Sequence, residues 1–593
     1  MTDAVPRRLV PVLVPAAALF FVPTLSTFQS AKALLAGPIV AALLLATRRT
    51  PGGRPRGLGA LGPAFLLYLA LSLPALFRAA SPAAAAQELW FDLLFAGAAL
   101  VAVRLSAAAA PRIVLVAVAA AAAAVAAVAL PESFGAPLEA GALRGAGTMG
   151  NPDFTAAMVA LGLPAAAWGL ASAGGRARRA TAAALALVLL AALVRLESLA
   201  AWVAAGAGLA ALGLVALVAN DRRRLAVLGA AVLALGAAAA LAFPGVRERW
   251  QGRAFLANAS LDAAAVAPLA GNGLGGFPRA YLDAQGRLVA EDPGLAPLWT
   301  RALHAHNEPL HVLVERGALG LAGLLAVWLA LAAGFVRALR PRRLAGPASP
   351  RMDAEPCAPA VSSVAGLAGV AVAWVVLALA GFPGHLVPTQ LVLGLLAGAA
   401  VAAGRRGSGG EVPEGAGRAP GNEGLARILA DSSRAAVFAV GLALAALPCW
   451  LAAADALFVA GRPAAALAVN PWHGGAALAM GAAEQGGRAP TGCAFLERAS
   501  RLAPSPAAEL ALGNCLLRRA LIGQATAAFA RAVRWNPRSA AAHGNLAVAF
   551  ARAGDPWNAR RHVERARSLR PGDKDIRVLV RRVRDATDLA GTE

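Results

Sequence analysis

The sequence predicts an all-α membrane protein, a bundle of about thirteen transmembrane helices followed by a C-terminal α-solenoid. Four observations point there. Of 593 residues, 59% are hydrophobic and the mean hydropathy is +0.62. The apolar residues gather in runs of about 20, enough to cross a bilayer. Arginines cluster between alternate runs, where they set topology. After residue 460, prolines return at Pro471, Pro504, Pro537 and Pro571, spaced 33, 33 and 34 residues.

Windows of about 19 residues place spans near 9–28, 31–47, 58–77, 85–105, 111–130, 153–173, 180–194, 199–219, 225–243, 316–336, 361–380, 386–403 and 434–459. The run after Pro6-Arg7-Arg8 reads as a first anchor, not a cleavable signal peptide. Arginine clusters lie at Arg7-Arg8, Arg48-Arg49, Arg104 and Arg112, Arg176 to Arg179, Arg222 to Arg224, Arg337 to Arg343 and Arg405-Arg406. Each precedes the first span or follows an even-numbered one. The positive-inside rule then puts the N-terminus in the cytoplasm. Segments 131–152, 195–198, 244–315, 381–385 and everything after 460 fall outside. The expected setting is a bacterial inner membrane, with residues 461–593 in the periplasm. The net charge of +23 therefore reads as topology, not as nucleic-acid binding.

The organisation that follows has five parts. Residues 1–130 are N-terminal transmembrane helices, and 131–403 form a membrane core around the large outer loop 244–315. Residues 404–433 are a Gly/Pro-rich cytoplasmic linker, 434–460 a final span, and 461–593 a repeat domain. Spans look nearly uncharged, which argues against proton-coupled transport.

Before Pro537 the pattern runs Leu512, Gly513, Leu516, Ala525, Phe529, Ala532. Before Pro571 it runs Leu546, Ala547, Phe550, Ala559, Val563, Ala566. Small residues let two antiparallel helices approach and large ones fill the seam. This resembles the tetratricopeptide repeat, a binding scaffold and not a catalytic one. The region carries 20 Lys/Arg against 10 Asp/Glu, a net +10. That charge suits an acidic polysaccharide, anionic lipid heads or a protein partner, and equally a solvated basic surface. Cys493 and Cys515 fall on neighbouring helices of the exported region, where either a disulfide or two buried thiols fits.

Three of only seven histidines, His304, His306 and His311, lie in RALHAHNEPLHVLVERG, residues 301–317. The loop before it opens with Arg247, Arg249, Trp250 and Arg253 and continues as PLAGNGLGGFPRAY, residues 268–281. Gly271, Gly273 and Gly276 match a dinucleotide-binding spelling, but no strand or βαβ unit surrounds them. They read instead as a turn that brings backbone N–H groups and Arg279 towards an anion. RGAGTMGNPDF, residues 144–154, ends in a proline at a helix start.

Together these elements resemble the O-antigen ligase and polymerase-like family of polytopic glycosyltransferases. The resemblance rests on Gly150-Asn151-Pro152; on Arg247 and Trp250 leading to Pro268-Leu269, Gly271, Gly273, Gly275 and Phe277; and on His306-Asn307 with Glu315 and Gly317. It covers about 130–400, with appended repeats at 460–580. It implies a GT-C-like helical fold that transfers a glycan from a polyprenyl diphosphate carrier to a lipid, protein or growing glycan. Ser198-Leu199 departs from the family's Ser-Arg, and Arg195, one helical turn earlier, is a candidate substitute.

The resemblance makes His306 the base, with Asn307 positioning it and Arg247 stabilising the leaving diphosphate. Arg249, Arg253, Arg279, Arg301, Asn151 and Glu315 are further candidates for binding substrate. No cofactor is implied. His304 and His306 lack the spacing and cysteines of a usual metal site. A non-enzymatic scaffold or transporter, its repeats recruiting partners, is the competing class.

Overall fold

The computed structural model describes residues 4–22, 25, 28–46, 57–135, 145–218, 246–339, 358–405, 423–484 and 491–574, and 576–578, 580, 581 and 583. Among them there is no strand. Ten helices are long and apolar enough to cross a membrane, which points to a multi-pass membrane protein. The expected span 225–243 lies outside the described residues, as does most of linker 404–433.

The N-terminal helices are α1 (Ala4–Leu19), α2 (Phe28–Ala46), α3 (Leu61–Leu71), α4 (Leu73–Phe77), α5 (Pro82–Arg104) and α6 (Ala110–Ser133). α3 and α4 replace one expected span by a shorter apolar pair broken at Ser72. Then follow α7 (Pro152–Ser172), α8 (Arg176–Leu196), α9 (Leu199–Val218), α10 (Val246–Val266) and α11 (Phe277–Glu291). The membrane helices resume as α12 (Glu308–Leu339), α13 (Ala358–Ala380), α14 (Val387–Gly404) and α15 (Glu423–Val459).

α14 is the centre of the bundle and packs along α5. Gly394 and Gly398, four apart on one face, permit this: a Cβ at Gly398 would lie 2.2 Å from the Ala99 carbonyl oxygen. Small residues let membrane helices touch backbone to backbone, where dispersion replaces the hydrophobic effect as glue. α9 packs on α13, α6 on α1 and α7, and α3 on α12.

α12 is not one helix. At Gly317 the backbone turns to φ 66, ψ −169, a conformation essentially restricted to glycine. Such a break strands backbone groups, which is costly in a membrane. Residues 268–276 fill it. The Ala318 N–H donates to Pro268 O (2.8 Å) and Leu319 N–H to Leu269 O (3.2 Å). In return, Asn272 N–H donates to Val314 O (2.8 Å) and Gly273 N–H to Glu315 O (3.0 Å). The same loop pairs with the α4–α5 corner through Leu274 N–H to Ala75 O and Ala80 N–H to Leu274 O.

After α15 come seven shorter helices: α16 (Pro463–Val469), α17 (Gly474–Ala483), α18 (Thr491–Leu502), α19 (Pro506–Arg518), α20 (Ile522–Trp535), α21 (Ala540–Arg552) and α22 (Pro556–Leu569). Each packs on the next. The twelve patterned seam positions are buried, except Phe550, which is half-buried. Cys493 in α18 and Cys515 in α19 form a disulfide. Trp535 ends α20 against α11, donating through Nε1 to Asp283 Oδ1 (2.7 Å), and its carbonyl accepts from Trp299 Nε1.

Gly317→Ala should be destabilising by about 2 kcal/mol or more, because the strained φ/ψ is compounded by a Cβ placed 2.2 Å from Leu269 O. The measurement is the thermal unfolding midpoint of detergent-solubilised protein.

Candidate active site

One end of the bundle gathers the polar residues. Segment 145–151 is anchored there before it carries any chemistry. Glu132 Oε2 accepts from Gly147 N–H (2.6 Å), and the Lys32 ammonium donates to Thr148 O (2.7 Å), Ala18 O (3.0 Å) and Phe20 O (2.9 Å). A fully buried lysine whose three protons meet three carbonyls holds α1, α2 and this segment together. Asn151 then caps α7, its Oδ1 accepting from Asp153 N–H (2.8 Å) ahead of Pro152.

Across from it, segment 299–307 leads into α12. Asn307 caps that helix: its Oδ1 accepts from Leu310 N–H (2.9 Å), and its Nδ2 donates to Leu379 O at the end of α13 (2.9 Å). His306 just before it has φ 50, left-handed for a residue with a side chain. Its ring meets the edge of Phe382, centroids 4.9 Å apart. Arg253 of α10 donates to Ala380 O. Asn151, Asp153, Ser198, Arg253, His306 and Phe382 line one cavity of about 150 Å3. Burial lowers the His306 pKa, and the nearby Arg253 charge lowers it further while Asp153 opposes. The imidazole is therefore neutral and able to accept a proton near neutral pH.

Several expected residues are elsewhere. Arg279 and Arg301 are exposed and do not line this cavity. Glu315 is buried and accepts from the N–H groups of Gly275 (3.0 Å) and Phe277 (3.1 Å), so it holds the glycine loop instead of meeting a ligand there. Arg195 does not line this cavity. It donates to Ser133 O (2.9 Å) and lies over the Phe134 ring. Arg247 and Arg249 begin α10, but their side chains lie outside the described residues.

A second polar cluster adjoins the first through Phe382, whose ring stacks on His304 at 4.4 Å. His385 lies between two carboxylates, with Nε2 3.0 Å from Glu88 Oε2 and Nδ1 3.2 Å from Glu308 Oε2. Burial opposes charge on His385, yet Glu308 and Glu88 outweigh it and hold its pKa well above the ordinary histidine value. Burial pushes His304 down to about 3. Deeper, Arg316 donates to Asp92 Oδ2 (2.9 Å) and Ser72 Oγ (3.3 Å), under the Tyr68 ring. The expectation of nearly uncharged spans is thus wrong for α5 and α12: Glu88, Asp92, Glu308, Glu315 and Arg316 are all buried within them. The signal was available as two carboxylates four apart in an apolar run.

No family model and no curated protein matches the chain.

Left-handed backbone costs a side-chain-bearing residue roughly 1–2 kcal/mol, so His306→Gly should be more stable than His306→Ala by about 1 kcal/mol. Comparing the two unfolding midpoints separates backbone strain at this position from loss of the imidazole.

Proposed function

We propose that the protein is a membrane glycosyltransferase, similar to O-antigen ligases and polymerases. It transfers a glycan from a polyprenyl diphosphate carrier to a lipid, protein or glycan hydroxyl on the periplasmic face of a bacterial inner membrane. One observation carries the reading. Asn151, Arg253 and His306, from three distant segments, line a single cavity at the end of the membrane bundle.

The chemistry suits them. The acceptor oxygen attacks the anomeric carbon as the bond to diphosphate breaks. The hydroxyl proton passes to the neutral His306 imidazole, and the electron pair leaves on a phosphate oxygen. Arg253 stabilises that growing charge, joined by Arg247 from the start of the same helix. Asp153 faces the imidazolium that forms. Asn307 ties the histidine segment to α13 and so fixes His306 relative to Arg253, which bonds the end of the same helix. Thirteen spans, a cytoplasmic N-terminus and a periplasmic tetratricopeptide-type domain complete the proposal.

The scaffold or transporter reading has one observation in its favour. Arg316–Asp92 and Glu88–His385–Glu308 are ionisable groups buried among apolar helices, a pattern frequent in proton-coupled carriers. Release of carrier diphosphate by purified protein, given donor and acceptor alone, decides for the enzyme.

In that assay His306→Ala should lose about 10²- to 10⁴-fold in rate while retaining expression, as removal of a general base does. Arg253→Ala should raise the donor KM, whereas Arg279→Ala and Arg301→Ala should leave it unchanged. Full activity of His306→Ala would sink the assignment.

The neutral imidazole is the active form, and its pKa is lowered in the fold. Transfer should therefore persist on acidification below about pH 6.5, the ordinary histidine value, and fall only at lower pH. A pH–rate profile of kcat/KM checks the sign; loss of rate above that value contradicts it.

A further inference from the structure

We propose that the second cluster is a metal site that binds one transition-metal dication of the Zn2+ class through His304, His311, His385 and Glu88. This goes beyond the transfer reading and does not depend on it, because none of the four lines the cavity that holds His306.

Geometry comes first. One nitrogen from each of His304, His311 and His385 lies within 4.8 Å of the other two, and Glu88 and His311 also fall within that distance. His385 Nε2 and Glu88 Oε2 are 3.0 Å apart. A tetrahedral shell with bonds of about 2.0–2.1 Å sets neighbouring ligand atoms roughly 3.3 Å apart. That pair therefore already has ligand spacing. The other two imidazoles need to close by up to about 1.5 Å, within reach of side-chain rotation.

Unmet bonding is the independent observation. His311 is buried with both ring nitrogens lacking a hydrogen-bond partner, and His304 Nδ1 is buried in the same condition. The nearest carboxylate to His311, Glu315, is 3.7 Å away and already accepts two backbone N–H groups. Buried polar atoms without partners are rare in folded proteins. A cation bound by one nitrogen of each ring would give His311 and His304 a partner apiece.

Charge agrees. Among the described residues four buried carboxylates, Glu88, Asp92, Glu308 and Glu315, meet two cations, Arg316 and the His385 imidazolium. A dication that takes the place of the His385 Nε2 proton offsets half of that surplus. Glu308 holds His385 Nδ1, leaving Nε2 for the ion; this is the carboxylate–histidine–metal arrangement that fixes ring orientation. Three imidazoles and a carboxylate select zinc-like ions over calcium or magnesium. The ion would clamp α5, α12, segment 299–307 and turn Pro383–His385 together, and so set Phe382 against His306.

The test uses full-length protein purified in detergent without chelator. Elemental analysis should find about one zinc per chain. Protein stripped by chelator should take up one Co2+, with the intense visible bands of four-coordinate cobalt, and Zn2+ should displace it. His311→Ala and Glu88→Gln should lose those bands. Should either fail to fold, His304→Gln serves, since His304 is only partly buried. Glu308→Gln should weaken binding by roughly 10- to 100-fold. His306→Ala should keep the metal while losing transfer, so the two proposals fail separately. No uptake of Co2+ or Zn2+ by stripped wild-type protein, or uptake unchanged in all the cluster variants, overturns the site.

Discussion

Inside a bilayer an unpaired peptide group has no water to turn to, and the break at Gly317 is where this constraint bears hardest. The chain meets it by lending backbone from elsewhere. Residues 268–276 return four hydrogen bonds to the interrupted helix and two more to the α4–α5 corner. Three parts of the sequence are thereby fixed to one another by backbone, with the Asn272 amide adding a bond to Val314 O. Glu315 adds a side-chain tie by capping α11 from the helix below. The first segment of α12 and the glycine loop are hung from that join. α12 presents His311 and Arg316 from its first segment, and the glycine loop directs α10 and α11 back across the end.

The sequence made the membrane helices legible because hydrophobic runs of bilayer length have no other economical use. It also made the three site segments legible, since Gly150-Asn151-Pro152, the α10 arginines and His306-Asn307 are short and locally unusual. Their convergence was not legible: nothing local says that Arg253 will reach Ala380 or that Asn307 will reach Leu379. The partners of several candidates lie far away in the chain and were not legible either. Glu315 looks like a ligand-facing acid until Gly275 and Phe277 are found on it. Arg195 looks like a replacement for a missing arginine until Ser133 is found 62 positions away. Glu88 and Asp92 are hidden in the sequence because the alanine and leucine around them dominate any averaged hydropathy.

Two polar clusters share the ring of Phe382, yet they differ in kind. The cavity of His306 joins one arginine, one carboxylate and one amide around open space, which suits a polar molecule that comes and goes. The cluster around His385 is crowded with buried carboxylates and imidazoles, which suits a cation. Proximity of the two means that order in the second is inherited by the first, through an aromatic ring and not through a hydrogen bond.

The Trp299–Trp535 contact gives the C-terminal helices a mechanical role. Trp299 stands five residues before His304 on an irregular segment, and its indole is tied to the last turn of α20. Trp535 is also pinned to Asp283 of α11. The helical array and the histidine segment are thus linked in series, like a lever and its load. Both ends of the contact are thereby fixed: the C-terminal helices and the segment that presents His304 and His306 share one indole.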